Sequence, residues 1–470
     1  MRPRHTLLVT LIGAACAVAG LNFAVRFGAA RSEGPSRGPA SSKPNIIFVV
    51  VDTVRADHVS AYGYPRPTTP NLAAMVASAG VIFTDAVSAA PWTLPANTAM
   101  LTGRSPSHVG QVWSDPQVTI PLSETFLAEY LHDAGYYTAG FVSTHYVRSR
   151  FGVAQGFDRY QELVRGTQTS TLASEVNLLA MNWLTTTWAP TLSGTHPLFL
   201  YLYYFDPHTW YNAPPPFRNM YDPTYTGTLT FDVYRDSEDV VSGAIIPTAR
   251  DIQHLKALYD GEITYWDDQF CRMLTFLDGL GLLNNSIIVV TSDHGEMFGE
   301  HGEWTHRNAL YEEALRVPLI IRYTGVVSAG LVVTAPVQTT DLTPTILDWL
   351  GIAPARPLDG VSLRAAAQGQ PFTTTRDIFS DMDAITDPSV PGYWLAPRYE
   401  LRAIKRAGWK YIHHIGLPYA DELYELRSVS IYETDNLLAD EPLRAATLFA
   451  ALIDHFRLLT RYTYLSTMIR

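Results

Sequence analysis

Cysteine is nearly missing from this chain: two occur in 470 residues, Cys16 and Cys271. Cys16 lies in an apolar N-terminal run and Cys271 in a helical pattern, so the body of the protein holds one cysteine. An intramolecular disulfide is excluded there, and cysteine usage does not identify the redox compartment. Charge is also sparse, at 17%, and acidic groups prevail: 34 Lys and Arg against 45 Asp and Glu give a net charge of -11. That balance argues against a general nucleic-acid binder, although a local anion site can still be positive. Internal repeats are lacking. What is present in quantity is apolar: 47% hydrophobic and 12% aromatic residues are enough to bury a large core, in one large domain plus a smaller one.

Residues 1–27 begin with the basic stretch Met1-Arg2-Pro3-Arg4-His5 and continue as an apolar run over residues 6–25. Residues 28–43 form a polar linker rich in Gly, Ser and Pro. That order reads as an export signal. The small residues Ala17-Val18-Ala19 allow cleavage, yet about 20 apolar residues also suffice for an uncleaved single membrane anchor. Both alternatives stand, and both put the body of the protein outside the cytoplasm, whether periplasmic, secreted or membrane-anchored. A lipoprotein reading through Cys16 is weaker, because Gly13 stands where that cleavage motif wants a branched aliphatic residue.

Over residues 44–370 buried strand patterns alternate with amphipathic helices, which predicts an α/β fold: a mostly parallel sheet sandwiched by helices. Strands are expected at residues 45–51, 198–205 and 286–291, each running into acidic or histidine chemistry: Asp52, Asp206 with His208, and Asp293 with His294. Ligands in open α/β sheets bind beyond the carboxyl ends of strands, so these groups can share one crevice. Helices are expected at residues 70–79, 123–134 and 254–280, the last with its aromatic residues in the core. Residues 211–247 lack periodicity and suit a long loop near the crevice. Residues 371–470 read as a small C-terminal α+β subdomain, with strands at 401–412 and 422–426 and a closing helix at 443–459.

A carboxylate at the end of a buried run is costly unless it is paired or bound to a metal, and Asp52 and Asp293 both occupy such positions. Either alone would read as a helix cap. Together, with His294 adjacent and Gly295 permitting a tight turn, they point to a divalent cation site. Thr93 precedes Leu94-Pro95, and Pro favours the first turn of a helix, so the Thr93 hydroxyl is expected at a helix N-terminus, where negative charge is favoured. A metal is what would make it a nucleophile at neutral pH.

The run from Ala90 through Pro91-Trp92-Thr93-Leu94-Pro95-Ala96-Asn97 to Leu101-Thr102-Gly103-Arg104 resembles the sulfatase signature with its nucleophile changed. Thr93 stands where sulfatases carry the Cys or Ser that becomes formylglycine, and Asn97 where they carry Arg. Oxidising a Thr side chain in that way would give a ketone, so no formylglycine is expected. Further landmarks resemble the same family: Asp52-Thr53-Val54-Arg55, Asp206-Pro207-His208, Leu258-Tyr259-Asp260-Gly261-Glu262, Ser292-Asp293-His294-Gly295-Glu296, Gly299-Glu300-His301-Gly302 and Arg316-Val317-Pro318-Leu319. The resemblance implies the alkaline phosphatase superfamily fold and one divalent ion held by Asp52, Thr93, Asp293 and His294. It favours Ca²⁺, while a histidine ligand also admits Mn²⁺ or Zn²⁺. It also implies that His208 and His306 contact the substrate or protonate the leaving group, with Asn97 in the substrate site, and that His301 is structural. Departures are Thr53 for a second aspartate and Phe141 and Ser143 for a Lys-x-His pair. The expected activity is hydrolysis of a small-molecule, glycan or lipid sulfate or phosphate ester by Thr93. The alternatives are a membrane-associated phosphoethanolamine- or phosphoglycerol-type transferase and a binding protein that keeps the fold without turnover.

Overall fold

The computed structural model describes residues 43–109, 119–164, 171–193, 195–230, 239–306, 309–372, 376–383, 400–415, 420–426 and 432–467. The expected export segment and linker, apart from Lys43, lie outside the described residues. Among the described residues, no helix is long and apolar enough to cross a membrane.

Three β-rich runs with no polar interruption become the centre of the large sheet: β1 (Asn45–Val51), β5 (Leu198–Tyr204) and β6 (Ser286–Ser292). Around them lie β2 (Val81–Val87), β3 (Tyr137–Val142), β4 (Arg159–Glu162), β9 (Arg316–Tyr323), β10 (Leu331–Val333) and β11 (Val337–Gln338). The order is β10-β2-β9-β6-β1-β5-β3-β4, with β11 also pairing β2. Among the described residues only β9 runs antiparallel to its neighbours in this sheet, so the sheet is mostly parallel, as the alternating pattern predicts. A short ribbon of β7 (Met297–Phe298) and β8 (Trp304–Thr305) follows β6.

The alternation of side chains along β1 divides the core between the two faces of the sheet. Ile47, Val49 and Val51 pack with α4 (Ala173–Trp183) and α5 (Ala249–Gly279). Ile46, Phe48 and Val50 face the side covered by α2 (Thr93–Thr102), α3 (Leu127–Asp133) and α6 (Leu342–Leu350). The aromatic residues of α5, including Tyr259, Trp266 and Phe270, are buried, as expected of a packing helix. It starts earlier than its apolar spacing predicts, because Thr248 and Asp251 form a reciprocal capping box ahead of that pattern. Two other helices are shorter than predicted. The first, α1 (Pro70–Met75), gives way at Val76 to a 3₁₀ turn, and α3 begins after Phe126, whose N–H donates to Glu129 Oε2 at 2.7 Å.

Beyond residue 376, β12 (Ile378–Asp383), β13 (Glu400–Arg406), β14 (Trp409–Ile415) and β15 (Glu422–Glu425) form a second, antiparallel sheet backed by α7 (Pro442–Thr467). The single strand expected at residues 401–412 is a hairpin instead. Ala407 and Gly408 take φ of 50° and 78°, the left-handed pair of a two-residue hairpin turn, and the pattern-based reading missed it because Ala masks the turn. The hairpin sets Lys405 opposite Lys410. Both are buried, and both ammonium groups reach Glu312, which precedes β9, at 3.0 and 3.1 Å. Glu433 and Asp85 supply the remaining negative charge, at 2.8 Å from Lys410 and 2.6 Å from Lys405. An ionic cluster thus joins the small sheet to the large one.

Candidate active site

Because β1 and β6 are adjacent and in register, with Val51 opposite Ser292, the residues that follow them emerge side by side. Asp52 and the Asp293-His294 pair therefore meet, and all three are fully buried at 0% exposure. Among the described residues their ligand atoms lie within 4.8 Å of one another. His294 Nε2 stands 3.4 Å from Asp52 Oδ1 and 3.8 Å from Asp293 Oδ2. The other ring nitrogen, Nδ1, donates to the carbonyl of Gly295 at 2.9 Å, which fixes the tautomer and turns the Nε2 lone pair to the cluster.

Thr93 joins from helix α2. Its predecessor Trp92 is extended, with φ −163° and ψ 163°, so Thr93 is the first helical residue, as the Leu94-Pro95 context predicts. Thr93 is 1% exposed, and its hydroxyl lies 3.4 Å from His294 Nε2. Two buried carboxylates, an imidazole lone pair and a hydroxyl form a donor set suited to a hard or borderline divalent cation.

Asn97 lies one turn below Thr93. Both of its N–H groups are committed, one to Thr93 O at 2.8 Å and one to Asp293 Oδ2 at 3.0 Å, and its carbonyl accepts from Tyr201 OH at 2.8 Å. Phe141 and Ser143 are buried at the end of β3, and the Ser143 hydroxyl donates to Tyr203 O at 2.8 Å. Thr53, the other departure, is fully buried with φ 57°, an unfavourable conformation for a β-branched residue. Its backbone is held on both sides: the carbonyl accepts from Tyr259 OH at 2.7 Å, and the N–H faces Asp293 Oδ1 at 3.4 Å.

The histidines form a second group. His208, two residues past Asp206, lies with ring centroid 4.9 Å from His306, whose own centroid is 4.5 Å from His294. His208 Nδ1 donates to Thr209 O at 2.8 Å. Burial, reinforced by His306, pushes His208 down to about 3, so it is neutral. His306 Nδ1 lies 3.2 Å from Glu296 Oε1. Burial pushes Glu296 up to about 7, against the opposing pull of His208 and His294. His301 falls elsewhere, at φ 57° in its turn, with its ring stacked on Tyr311 at 3.8 Å.

Sequence reasoning gave no role to Glu296, Tyr201 or Tyr203. The last two alternate on β5 and point to one face, and Tyr203 OH donates to Asp293 Oδ2 at 2.7 Å. Alternating tyrosines were the available signal, but in a strand buried on both faces they read as core.

The Sulfatase family model matches residues 44–352, and a model of the N-sulphoglucosamine sulphohydrolase C-terminal region matches residues 299–447. The chain belongs to the sulfatase family and is a sulfuric or phosphoric ester hydrolase. It is similar to an arylsulfatase of Clostridium perfringens, 28% identical over 377 residues that cover 68% of this chain and 78% of that one. In fold it is similar to a phosphonate monoester hydrolase from Silicibacter pomeroyi, with TM-score 0.69, 23% identity, and coverage of 89% of this chain and 96% of the other. It is likewise similar in fold to a protein solved in complex with its substrate D-glucosamine-2-N,6-O-disulfate, with TM-score 0.72, 20% identity, and coverage of 89% and 99%.

Proposed function

We propose that this protein is a metal-dependent hydrolase of sulfate or phosphate esters in which Thr93 itself is the nucleophile. The observation that carries the reading is the meeting of Thr93 Oγ1 with His294 Nε2, beside two buried carboxylates and at a helix N-terminus. Asp52, Asp293, His294 and Thr93 would hold one divalent ion, Ca²⁺ by family resemblance and Mn²⁺ or Zn²⁺ by donor chemistry. When bound, such an ion lowers the pKa of a coordinated hydroxyl, as it lowers that of water from 15.7 to about 7, and draws in the anionic ester.

With its proton released to solvent, Thr93 Oγ1 bonds to sulfur or phosphorus as the bond to the ester oxygen breaks. Water, giving a proton back to His306, then displaces Thr93 from the adduct as sulfate or phosphate leaves, and Thr93 regains its proton from solvent. The backbone N–H groups at the start of α2 face the anionic oxygens. His306, oriented by Glu296, protonates the leaving oxygen, while His208, neutral and held by Thr209, offers its Nε2 lone pair to a hydroxyl on the alcohol part of the substrate. Phosphate mono- and diesters suit a Thr nucleophile best. The same reading puts the protein outside the cytoplasm, on the strength of the basic start and apolar run of residues 1–27.

A panel of 4-nitrophenyl sulfate, phosphate, phosphodiester and phosphonate esters, with added Ca²⁺, Mn²⁺ or Zn²⁺, tests this reading. Metal-dependent release of nitrophenol from at least one class is expected. No turnover with any pairing would overturn it in favour of a binding protein.

A further inference from the structure

We propose that Tyr203 and Asn97 are a pair of positioning residues that orient the Asp293 carboxylate, and that Tyr201 holds Asn97 in the orientation this requires. The inference rests on the metal and nucleophile roles given above to Asp293 and Thr93.

A carboxylate has about four lone-pair directions; at Asp293 three meet close donors, a fourth donor stands off at 3.4 Å, and one direction is left for a cation. Oδ2 accepts from Tyr203 OH at 2.7 Å and Asn97 Nδ2 at 3.0 Å. Oδ1 accepts from the N–H of His294 at 2.9 Å and faces that of Thr53 at 3.4 Å. The group cannot rotate about its terminal bond without losing contacts on both oxygens. Removing Tyr203 OH or Asn97 Nδ2 leaves Oδ2 with one side-chain donor.

Asn97 does more than hold Asp293. Its second N–H goes to Thr93 O, so one amide ties the first turn of α2 to the carboxylate after β6. A flipped amide would aim its oxygen at two acceptors, Thr93 O and Asp293 Oδ2, and the hydroxyl of Tyr201 on the correct oxygen opposes that flip.

All three donors are neutral. Burial, followed by Asp293 and Asp52, raises Tyr203 well above the ordinary tyrosine value; burial, Tyr160 and the same carboxylates do so for Tyr201. Neutral donors fix where the carboxylate points and leave its negative charge in place for a cation.

The test compares the full-length parent with Tyr203→Phe and Tyr201→Phe after chelator stripping, titrating each with Ca²⁺ and Mn²⁺ by calorimetry and by return of ester hydrolysis. Outer-shell partners of metal ligands are worth roughly 10–100-fold in affinity, and Tyr203→Phe is expected to weaken binding by that much. Ester KM at saturating metal should stay unchanged, and Tyr201→Phe should show a smaller loss of metal affinity in the same direction. If both variants bind metal as tightly as the parent, or if ester KM moves while metal affinity does not, the positioning role is overturned. A stripped parent that binds neither ion would instead overturn the metal reading, and this inference with it. Should Tyr203→Phe prove insoluble, Tyr201→Phe decides the matter by the same comparison.

Discussion

The hydroxyl of Thr93 lies 3.4 Å from Nε2 of His294, although 201 positions separate the two residues in the chain. Two different devices bring them together. His294 is carried on a turn after β6, and Thr93 opens a helix that follows β2, with Asn97 bracing that helix against Asp293. The distance suits two groups that share a ligand between them as well as it suits a weak direct contact.

Metal content is the first consequence. Elemental analysis of purified protein should show close to one equivalent of a divalent ion, and Asp293→Asn should deplete it. Asn keeps the volume and loses the charge, so the comparison isolates ligation from packing. Full occupancy in that variant would remove Asp293 from the site.

Leaving-group dependence is the second. If His306 protonates the departing oxygen, His306→Ala should lower kcat by about 10²–10⁴-fold for esters of aliphatic alcohols. The loss should be much smaller for 4-nitrophenyl esters, whose leaving group needs little protonation. Equal losses on both series, measured by steady-state kinetics, would assign His306 to binding.

Acid stability is the third, and it concerns the ionic cluster between the sheets. Burial alone would raise Glu312, but Lys405 and Lys410 outweigh burial and hold it at about 2, against an ordinary 4.5. A carboxylate depressed in the folded state stabilises fully above its unfolded pKa, and this contribution is lost as pH falls from about 4.5 towards 2. Breaking a buried pair costs about 3–5 kcal/mol, so Glu312→Gln should be destabilised by that order at neutral pH. The gap between parent and variant in urea melts should narrow as the pH drops through that window. A gap that stays constant with pH would show that the carboxylate is not the stabilising group.

The positions of Asp52, Asp293 and Thr93 could be read from sequence because each follows from a local rule, a carboxylate after a buried strand or a hydroxyl before Pro in a first helical turn, and His294 came in as the neighbour of Asp293. The strands β1, β5 and β6 were legible for a similar reason, since an uninterrupted run of apolar residues, β-branched in β1 and β6 and leucine or aromatic in β5, has few other places to go. Tyr203 and Glu296 were not legible. Their roles depend on which strand is neighbour to which, and no spacing within β5 says that its tyrosines face the end of β6. The turn at Ala407-Gly408 was hidden because only Gly of the pair announces a left-handed conformation. The early start of α5 was hidden because its cap lies outside the apolar period.

The central claim is that Thr93 attacks the ester directly, and the rate of Thr93→Ala at saturating metal tests it most directly. The account predicts that this variant folds, keeps much of its metal and loses about 10⁴-fold or more of the parent's turnover, while Thr93→Ser retains measurable activity because it keeps a hydroxyl. Hydrolysis by Thr93→Ala at the parent's rate would contradict the account and assign the attack to water.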